Sequence, residues 1–256
     1  MLISDIKSIY RWAWAFAFAC PILFCIPVLV EFAQHVAEMQ GGMYASPAGA
    51  AAFADDPLRM QFGFAKVLVL LLPGYWLTRF VLFGNDAAAA RRVEWPAAGL
   101  WSVIFLLSAG QAYWGLFGSP WSELLGVTDE AIASAVDVSI GLVGSVLGIY
   151  LVAWGVAWAL GNAAIGPLRS IRIMHGSFWR TVVLMIAGAL PLMALHYALG
   201  YAAIHYGASA FDWTVMVVDS IVTGFLALTI TGSWVAAVRH AAAKSGVSLL
   251  PNGHSG

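Results

Sequence analysis

Long apolar segments, separated by short polar stretches, set the pattern of the chain. A helix needs about 20 residues to cross a bilayer, and six of these segments have about this length or more. They cover residues 12–30, 62–83, 96–117, 132–160, 181–206 and 213–238. Their length and their lack of strict alternation exclude barrel strands. The pattern therefore predicts an all-α fold, a polytopic membrane helix bundle with six transmembrane helices.

Composition favours a membrane protein over a soluble one. Hydrophobic residues make up 61% of the 256 positions and charged residues only 10%, against about 25% charged in an ordinary soluble domain. So few charges cannot cover the surface of a soluble globule of this size. The sequence also lacks the phosphate-binding glycine loop and the HExxH, Gly-x-Ser-x-Gly and Cys-x-x-Cys motifs of soluble enzymes.

Positive charge is distributed unequally between the two sides of the predicted bundle. Ten of the twelve lysines and arginines fall on the side that holds both termini. They are Lys7, Arg11, Arg79, Arg91, Arg92, Arg169, Arg172, Arg180, Arg239 and Lys244. Because cytoplasmic loops retain positive charge during insertion, both termini are predicted to be cytoplasmic, and the location is predicted to be a bacterial inner membrane.

The chain is predicted to form one domain. Residues 1–243 make a single six-helix transmembrane domain, and the polar residues 244–256 make a disordered cytoplasmic tail. The first apolar run continues past Cys20 without a small-residue cleavage site, so a retained span is favoured over a signal peptide. The loop over residues 38–61, rich in Gly, Ala and Pro, is interpreted as either a lid or a connector.

Residues 167–180 form the most basic stretch of the chain. Helical spacing predicts an apolar stripe formed by Leu168, Ile171, Met174 and Phe178. The opposite side carries Arg169, Arg172 and Arg180. One interpretation is a segment that lies in the inner leaflet and holds anionic lipid headgroups with its arginines. The other is an ordinary positive loop that only determines topology.

The same stretch leads into an apolar helix through a pattern of spaced residues. The pattern Ser-x-x-x-x-x-Gly-x-x-Trp-Arg, with a later proline, is matched by Ser170, Gly176, Trp179, Arg180 and Pro191. Over residues 167–195 the chain resembles six-span bacterial membrane proteins of the YciC type, related to the membrane domain of some glycerophosphodiester phosphodiesterases. The resemblance implies a six-helix bundle without a catalytic domain, and it implies no particular activity.

Polar side chains inside the predicted spans are candidates for function, because they are costly in a bilayer. They are Lys66, Gln111, Asp137, His196 and Asp219, all placed in the outer half. We expect Lys66 to lie within ion-pair reach of Asp137 or Asp219, since an unpaired ammonium at that depth is unfavourable. Such a pair either couples a proton or substrate to transport, with His196 titrating near neutral pH, or only maintains the register of the helices.

A second polar group lies where the first span continues outward. Glu31, His35 and Glu38 fall on one helical face, an arrangement able to supply metal ligands. Their pattern, Glu-x-x-x-His-x-x-Glu, differs from the Glu-x-x-His pairs of a four-helix di-iron site. The sequence therefore favours a solvated helix end, and it predicts no metal and no cofactor.

Three functions stay open at the level of sequence. The favoured one is a non-enzymatic structural or accessory module that contacts anionic lipid, because motifs for chemistry are absent. The alternatives are a small transporter or channel that uses the outer-half polar residues, and a membrane-embedded lipid-modifying enzyme. Membrane lipids are the predicted partners. Nucleic acid is not, since the aromatic residues gather near span ends, where they anchor helices at the membrane surface.

Overall fold

The computed structural model describes residues 2–206 and 210–251 of the chain. Regular structure within these residues is entirely helical. The helices are α1 (Leu2–Ala19), α2 (Pro21–Gln40), α3 (Pro47–Ala52), α4 (Pro57–Leu71), α5 (Pro73–Leu82), α6 (Ala87–Arg91), α7 (Trp95–Phe117), α8 (Trp121–Leu124), α9 (Glu130–Ala159), α10 (Pro167–Met174), α11 (Phe178–Tyr206) and α12 (Ala210–Lys244). Asp56 and Asp129 are the N-caps of α4 and α9, where each carboxylate accepts a first-turn N–H.

Six helical segments in the described part of the chain are long and apolar enough to cross a membrane. They are α2, α4 together with α5 (Pro57–Leu82), α7, α9, the segment Phe178–His205 of α11, and α12. This confirms the predicted all-α class, and the number of helical segments that are long and apolar enough to span agrees with the six predicted. Helices suit this environment because each pairs its backbone N–H and C=O groups within the segment.

The first span differs from its prediction over residues 12–30. The helix breaks at Cys20, whose φ of −132° and ψ of 58° are not helical, and α2 begins at Pro21. Proline has no N–H and disfavours the helical conformation in the residue before it, so the apolar run divides there. The membrane-length helix is α2, and α1 packs separately against α11 and α12, with Ile9 and Phe16 fully buried.

The 35-residue α12 is the central helix of the bundle. It packs against α1, α2, α5, α9, α10 and α11, and most of its residues are buried. Glycines bring two neighbours close to it. A Cβ atom on Gly188 of α11 would lie 2.0 Å from Ser233 Oγ, and one on Gly224 of α12 would lie 2.5 Å from Val28 Cγ2. Small residues let membrane helices approach closely, and van der Waals contact then holds them together.

Apolar side chains cover much of the outside of the bundle. Large exposed ones along α7, α9 and α11 are Leu106, Leu107, Leu142, Val143, Ile186 and Leu190. A surface of this kind is unfavourable in water, whereas the hydrocarbon of a bilayer solvates it directly. The exterior therefore agrees with a multi-pass membrane protein.

The segment after α12 folds back on the bundle. Asn162 Nδ2 donates hydrogen bonds to the carbonyl oxygens of Leu249 and Leu250, both at 3.2 Å. Val247 and Leu249 also pack against the main hydrophobic core. Residues 245–251 thus differ from the predicted disordered tail, whose remaining residues, 252–256, lie outside the described part of the chain.

Candidate functional site

Six ionisable side chains from four helices meet inside the bundle. We call them the buried polar network: Glu31, His35 and Glu38 of α2, Lys66 of α4, His196 of α11 and Asp219 of α12. They come together because α2 packs on both α4 and α12, and α11 packs on α12. Distances within the network are those of hydrogen bonds and ion pairs.

One face of α2 supplies half of the network. Glu31, His35 and Glu38 follow one another at intervals of four and three positions, and they are 0%, 4% and 2% exposed. The prediction of a solvated helix end is wrong, because α4, α12 and the turn after α2 pack over this face. Spacing alone showed that the three residues share a face, and the neighbouring elements bury it.

His35 is the centre of the network. Its Nε2 atom lies 2.9 Å from Asp219 Oδ2 and 3.5 Å from Glu31 Oε1. Its Nδ1 atom lies 3.1 Å from Glu38 Oε2 and 2.9 Å from the hydroxyl oxygen of Tyr44. Oxygen atoms therefore face both ring nitrogens, whereas a neutral imidazole carries a proton on only one of them. One of the two ring nitrogens therefore faces oxygen atoms without a proton, unless His35 carries a second proton or a cation lies among these groups.

Asp219 links the two histidines of the network. His196 Nδ1 lies 2.8 Å from Asp219 Oδ1 and 2.9 Å from Asp219 Oδ2, and the second oxygen also faces His35. Asp219 is fully buried, while the side chain of His196 is 21% exposed. The structure thus brings together His196 and Asp219, which the sequence placed in the same half of the membrane.

Lys66 forms its ion pair with a carboxylate other than the two predicted. Its Nζ atom lies 3.2 Å from Glu31 Oε1 and 3.1 Å from Glu31 Oε2, and it donates a hydrogen bond to Oε1. The expected pairing with Asp137 or Asp219 is wrong, because α4 packs on α2 and so places Lys66 beside Glu31. Glu31 Oε2 accepts no hydrogen bond from any described residue.

Two members of the predicted outer-half cluster lie away from the network. Asp137 of α9 accepts hydrogen bonds from Ser122 N–H at 2.9 Å and from Ser122 Oγ at 2.6 Å. It therefore holds α8 against the first turns of α9. Gln111 is exposed on α7. Neither residue contributes to the buried polar network.

Three polar side chains that the sequence does not predict as part of the site surround Glu38. Gln34 Nε2 donates to Oε1 at 2.8 Å, the Tyr44 hydroxyl donates to Oε2 at 2.6 Å, and Arg59 Nε lies 3.3 Å from Oε1. Burial, and then the charge of Glu38, raise the pKa of Tyr44, so its hydroxyl stays a donor. Helical spacing offered a signal only for Gln34. Tyr44 depends on a turn at Gly42, whose φ is +79°.

With Arg59 counted beside the buried polar network and both histidines neutral, the group has one more negative charge than positive charges. Glu31, Glu38 and Asp219 contribute three carboxylates, whereas Lys66 and Arg59 contribute two permanent cations. Buried charge at membrane depth is unfavourable unless an opposite charge accompanies it. When both histidines are neutral, one further positive charge is needed. A proton on a histidine or a bound cation supplies it.

α10 is amphipathic, but its buried face matches the predicted stripe only in part. Its buried residues are Ser170, Ile173 and Met174, of which only Met174 belongs to the predicted stripe. Leu168, a member of the predicted stripe, is 73% exposed, because α10 packs on α9 and α12 through its other side. Of the three arginines, Arg169 and Arg172 are exposed, and Arg180 pairs with Asp5 of α1.

A cavity of about 490 Å³ lies beside the Asp5–Arg180 pair, between α1, the turn after α5 and α12. Its polar lining comprises Asp5, Ser8, Arg11, Asn85, Arg239 and His240. Among the described residues no carboxylate forms an ion pair with Arg11 or Arg239, and the Arg239 guanidinium lies 5.4 Å from the Trp12 ring centroid. The cavity thus has two uncompensated positive charges.

The stretch that carries the family resemblance docks through Ser170. Its hydroxyl donates to the Tyr150 carbonyl at 2.7 Å and accepts from Trp154 N–H at 3.0 Å. It therefore bridges a carbonyl and an N–H group that are one helical turn apart on α9. Pro191 of the same stretch lies inside α11. The resemblance itself stays a prediction. Comparisons with protein-family models, curated proteins and solved structures find no match to this chain.

Proposed function

We propose that this chain is a small proton-coupled membrane transporter that binds and releases cations at the buried polar network. The observation that carries the proposal is a buried set of three carboxylates with only two permanent cations beside them, so that a histidine proton or a bound cation must complete the charge. Ionisable residues that pair with one another inside a membrane mark ion pathways and proton relays. Lys66, Arg59 and His196 are 21%, 32% and 21% exposed, so they connect the buried members to the surface.

The two other functions require different features. A structural or accessory module needs only ion pairs that balance and maintain the register of the helices. A lipid-modifying enzyme needs a headgroup-sized pocket next to its reactive carboxylate and histidine. Glu31, Glu38 and Asp219 are at most 2% exposed, which leaves a lipid headgroup no access to them. The buried network balances only when a histidine is protonated or a cation is bound, which favours exchange of a small cation over a fixed structural role.

We also propose that the protein lies in a bacterial inner membrane with both termini cytoplasmic. The support is the position of ten of the twelve lysines and arginines on one side of the spans. In this orientation the buried polar network lies in the outer half of the membrane. The cavity with Arg11 and Arg239 then faces the inner leaflet, where anionic headgroups complement its charge. Membrane lipids are thus the proposed partners of that cavity.

Reporter fusions test this orientation. Fusions after Lys244 and within residues 84–94 should read cytoplasmic, and fusions within residues 41–56 should read periplasmic, because positive loops stay on the cytoplasmic side. A paired phosphatase and fluorescent-protein reporter at each site measures both outcomes. A periplasmic C-terminus would contradict the orientation and, with it, the contact between the cavity and the inner leaflet.

Proton movement in vesicles tests the transporter. Purified protein is reconstituted in liposomes that contain a pH-sensitive dye, and gradients of Na⁺, K⁺ or divalent cations are imposed in turn. Wild-type vesicles should change internal pH under at least one gradient. Asp219→Asn should reduce the rate to that of protein-free vesicles, because the amide cannot accept the proton that the carboxylate exchanges with His35 and His196.

Asp137→Asn is the matched control. It removes another carboxylate within a span, but this carboxylate binds Ser122 and lies outside the network, so the wild-type rate should persist. Gel filtration and thermal unfolding establish that both variants are folded. No proton movement by the wild type under any gradient, or equal rates for the wild type and Asp219→Asn, would return the network to a purely structural role.

A further inference from the structure

Three side chains of the buried polar network are spaced as ligands of one metal ion, and His35 lies beside two of them. Glu31, His196 and Asp219 each offer a ligand atom, and these three atoms lie within 4.8 Å of one another. His35 Nε2 lies 2.9 Å from Asp219 Oδ2 and 3.5 Å from Glu31 Oε1. With metal–ligand bonds of about 2.1 Å, tetrahedral ligand atoms are separated by about 3.4 Å. The two His35 distances lie close to this value, and the other three ligand atoms lie within 4.8 Å of one another, so side-chain movements are sufficient to complete a coordination shell.

We propose that Glu31, His35, His196 and Asp219 form a binding site for a divalent transition-metal ion of the zinc type. This inference rests on the proposed function, since it names the cation that shares the network with the proton. Two imidazoles and two carboxylates suit Zn²⁺, Mn²⁺ or Fe²⁺, whereas Mg²⁺ and Ca²⁺ prefer all-oxygen shells and Cu⁺ prefers sulfur. The ligands come from α2, α11 and α12, so binding joins three helices.

The surroundings of His35 are those of a metal-binding histidine. Metal-bound imidazoles usually donate their second ring N–H to a carboxylate, which sets the ring orientation. Here Nε2 faces the ligand group, and Nδ1 lies 3.1 Å from Glu38 Oε2. Glu38 is positioned in turn by the Tyr44 hydroxyl at 2.6 Å and by Gln34 Nε2 at 2.8 Å. Glu38, Tyr44 and Gln34 are thus not ligands themselves, but they orient the His35 ring so that Nε2 faces the other three ligands.

Glu31 is shared between Lys66 and the ligand group. The Lys66 ammonium donates its hydrogen bond to Oε1 and lies 3.1 Å from Oε2, which is buried and accepts no hydrogen bond from the described residues. A buried carboxylate that accepts a single hydrogen bond has lone pairs left for coordination of a cation. Lys66 competes with the metal for Glu31, and its partly exposed side chain lets the ammonium turn toward the surface when the metal binds.

Equilibrium binding of Zn²⁺ tests the site without requiring transport. Full-length protein, purified in detergent with its affinity tag removed and stripped of metal, is titrated with Zn²⁺ by calorimetry and with Co²⁺ by visible absorption. The wild type should bind one equivalent, and Co²⁺ should show the bands of a tetrahedral site. His196→Gln and Asp219→Asn, tested separately, should each weaken Zn²⁺ binding by more than about 100-fold. Glu38→Gln removes only a contact that orients His35, so it should weaken Zn²⁺ binding by about 10–100-fold.

His205→Gln is the control on the same helix. His205 is exposed, and its ring nitrogen bonds the Tyr201 carbonyl, so this variant should bind Zn²⁺ as the wild type does. Absence of binding by the wild type, or equal affinity in the wild type and both ligand variants, overturns the metal site. If wild-type protein moves protons but binds no metal, the transporter function is retained and the metal site is rejected. If it binds metal but moves no protons, the metal site is retained and the transporter function is rejected.

Discussion

Lys66→Met should lower the free energy of unfolding by about 3 kcal/mol, because it leaves Glu31 as a buried carboxylate without its ammonium partner. Removing one member of a buried pair typically costs about 3–5 kcal/mol. We expect the lower end of that range, since the Lys66 side chain is 21% exposed and exchanges part of its interaction with solvent. Unfolding in mixed micelles with increasing denaturing detergent measures the difference.

A double substitution separates the ion pair from packing. Lys66→Met with Glu31→Gln removes both charges and should recover most of the lost stability, because the neutral amide carries no uncompensated charge. Lys7→Met replaces an exposed lysine of α1 and should change the free energy of unfolding by less than about 0.5 kcal/mol. If the effects of Lys66→Met alone and of Glu31→Gln alone add up to the effect of the double substitution, Lys66 and Glu31 are not coupled, contrary to the structure.

Gly188→Val should also destabilise the bundle, by about 1–3 kcal/mol, because it forces α11 away from α12. A Cβ atom at this position would lie 2.0 Å from Ser233 Oγ and 2.8 Å from the Thr229 carbonyl oxygen. The serine side chain can rotate, but the carbonyl belongs to the α12 backbone. Adding Ser233→Ala should therefore restore only part of the loss, and thermal unfolding in detergent measures both variants.

Gly200→Val is the comparison for this substitution. Gly200 lies on the same helix, and outside its own helical turns no atom of a described residue is within 4 Å of its hypothetical Cβ. Intrinsic helix propensity therefore changes equally in the two variants, while packing changes only at Gly188. The difference between the two variants reports the α11–α12 contact. Equal unfolding temperatures for Gly188→Val and Gly200→Val would mean that α11 and α12 are not packed as closely as described.

The contact at Gly188 also matters for the buried polar network. His196 follows Gly188 by eight positions on α11, and its partner Asp219 lies on α12. Separating the two helices near Gly188 should lengthen the His196–Asp219 contact. We therefore expect Gly188→Val to weaken proton movement and metal binding together, whereas Gly200→Val leaves both close to wild type.

Local features of the sequence were sufficient for the class of fold. The thickness of a bilayer acts on each segment separately, so the length of an apolar run predicts a span without knowledge of its neighbours. The helix starts at Asp56 and Asp129 are also predictable from the local sequence, because a cap bonds only the first turn of its own helix. The break at Cys20 is also a local feature, marked by Pro21, although the apolar composition on both sides predicts one continuous span.

Helix neighbours were decided only by the tertiary structure. The intrinsic cost of charge in a bilayer identified Lys66, His196 and Asp219 as candidates, and helical spacing put Glu31, His35 and Glu38 on one face. Neither rule says which helices adjoin, so the sequence pairs Lys66 with the wrong carboxylates and predicts that the outer end of the first span is solvated. Packing of α2 on α4 and α12 buries that face and brings it to His196 and Asp219. Composition and spacing thus determined which residues carry charge at membrane depth, whereas long-range packing, which depends on the shapes of all the helices together, decided their partners.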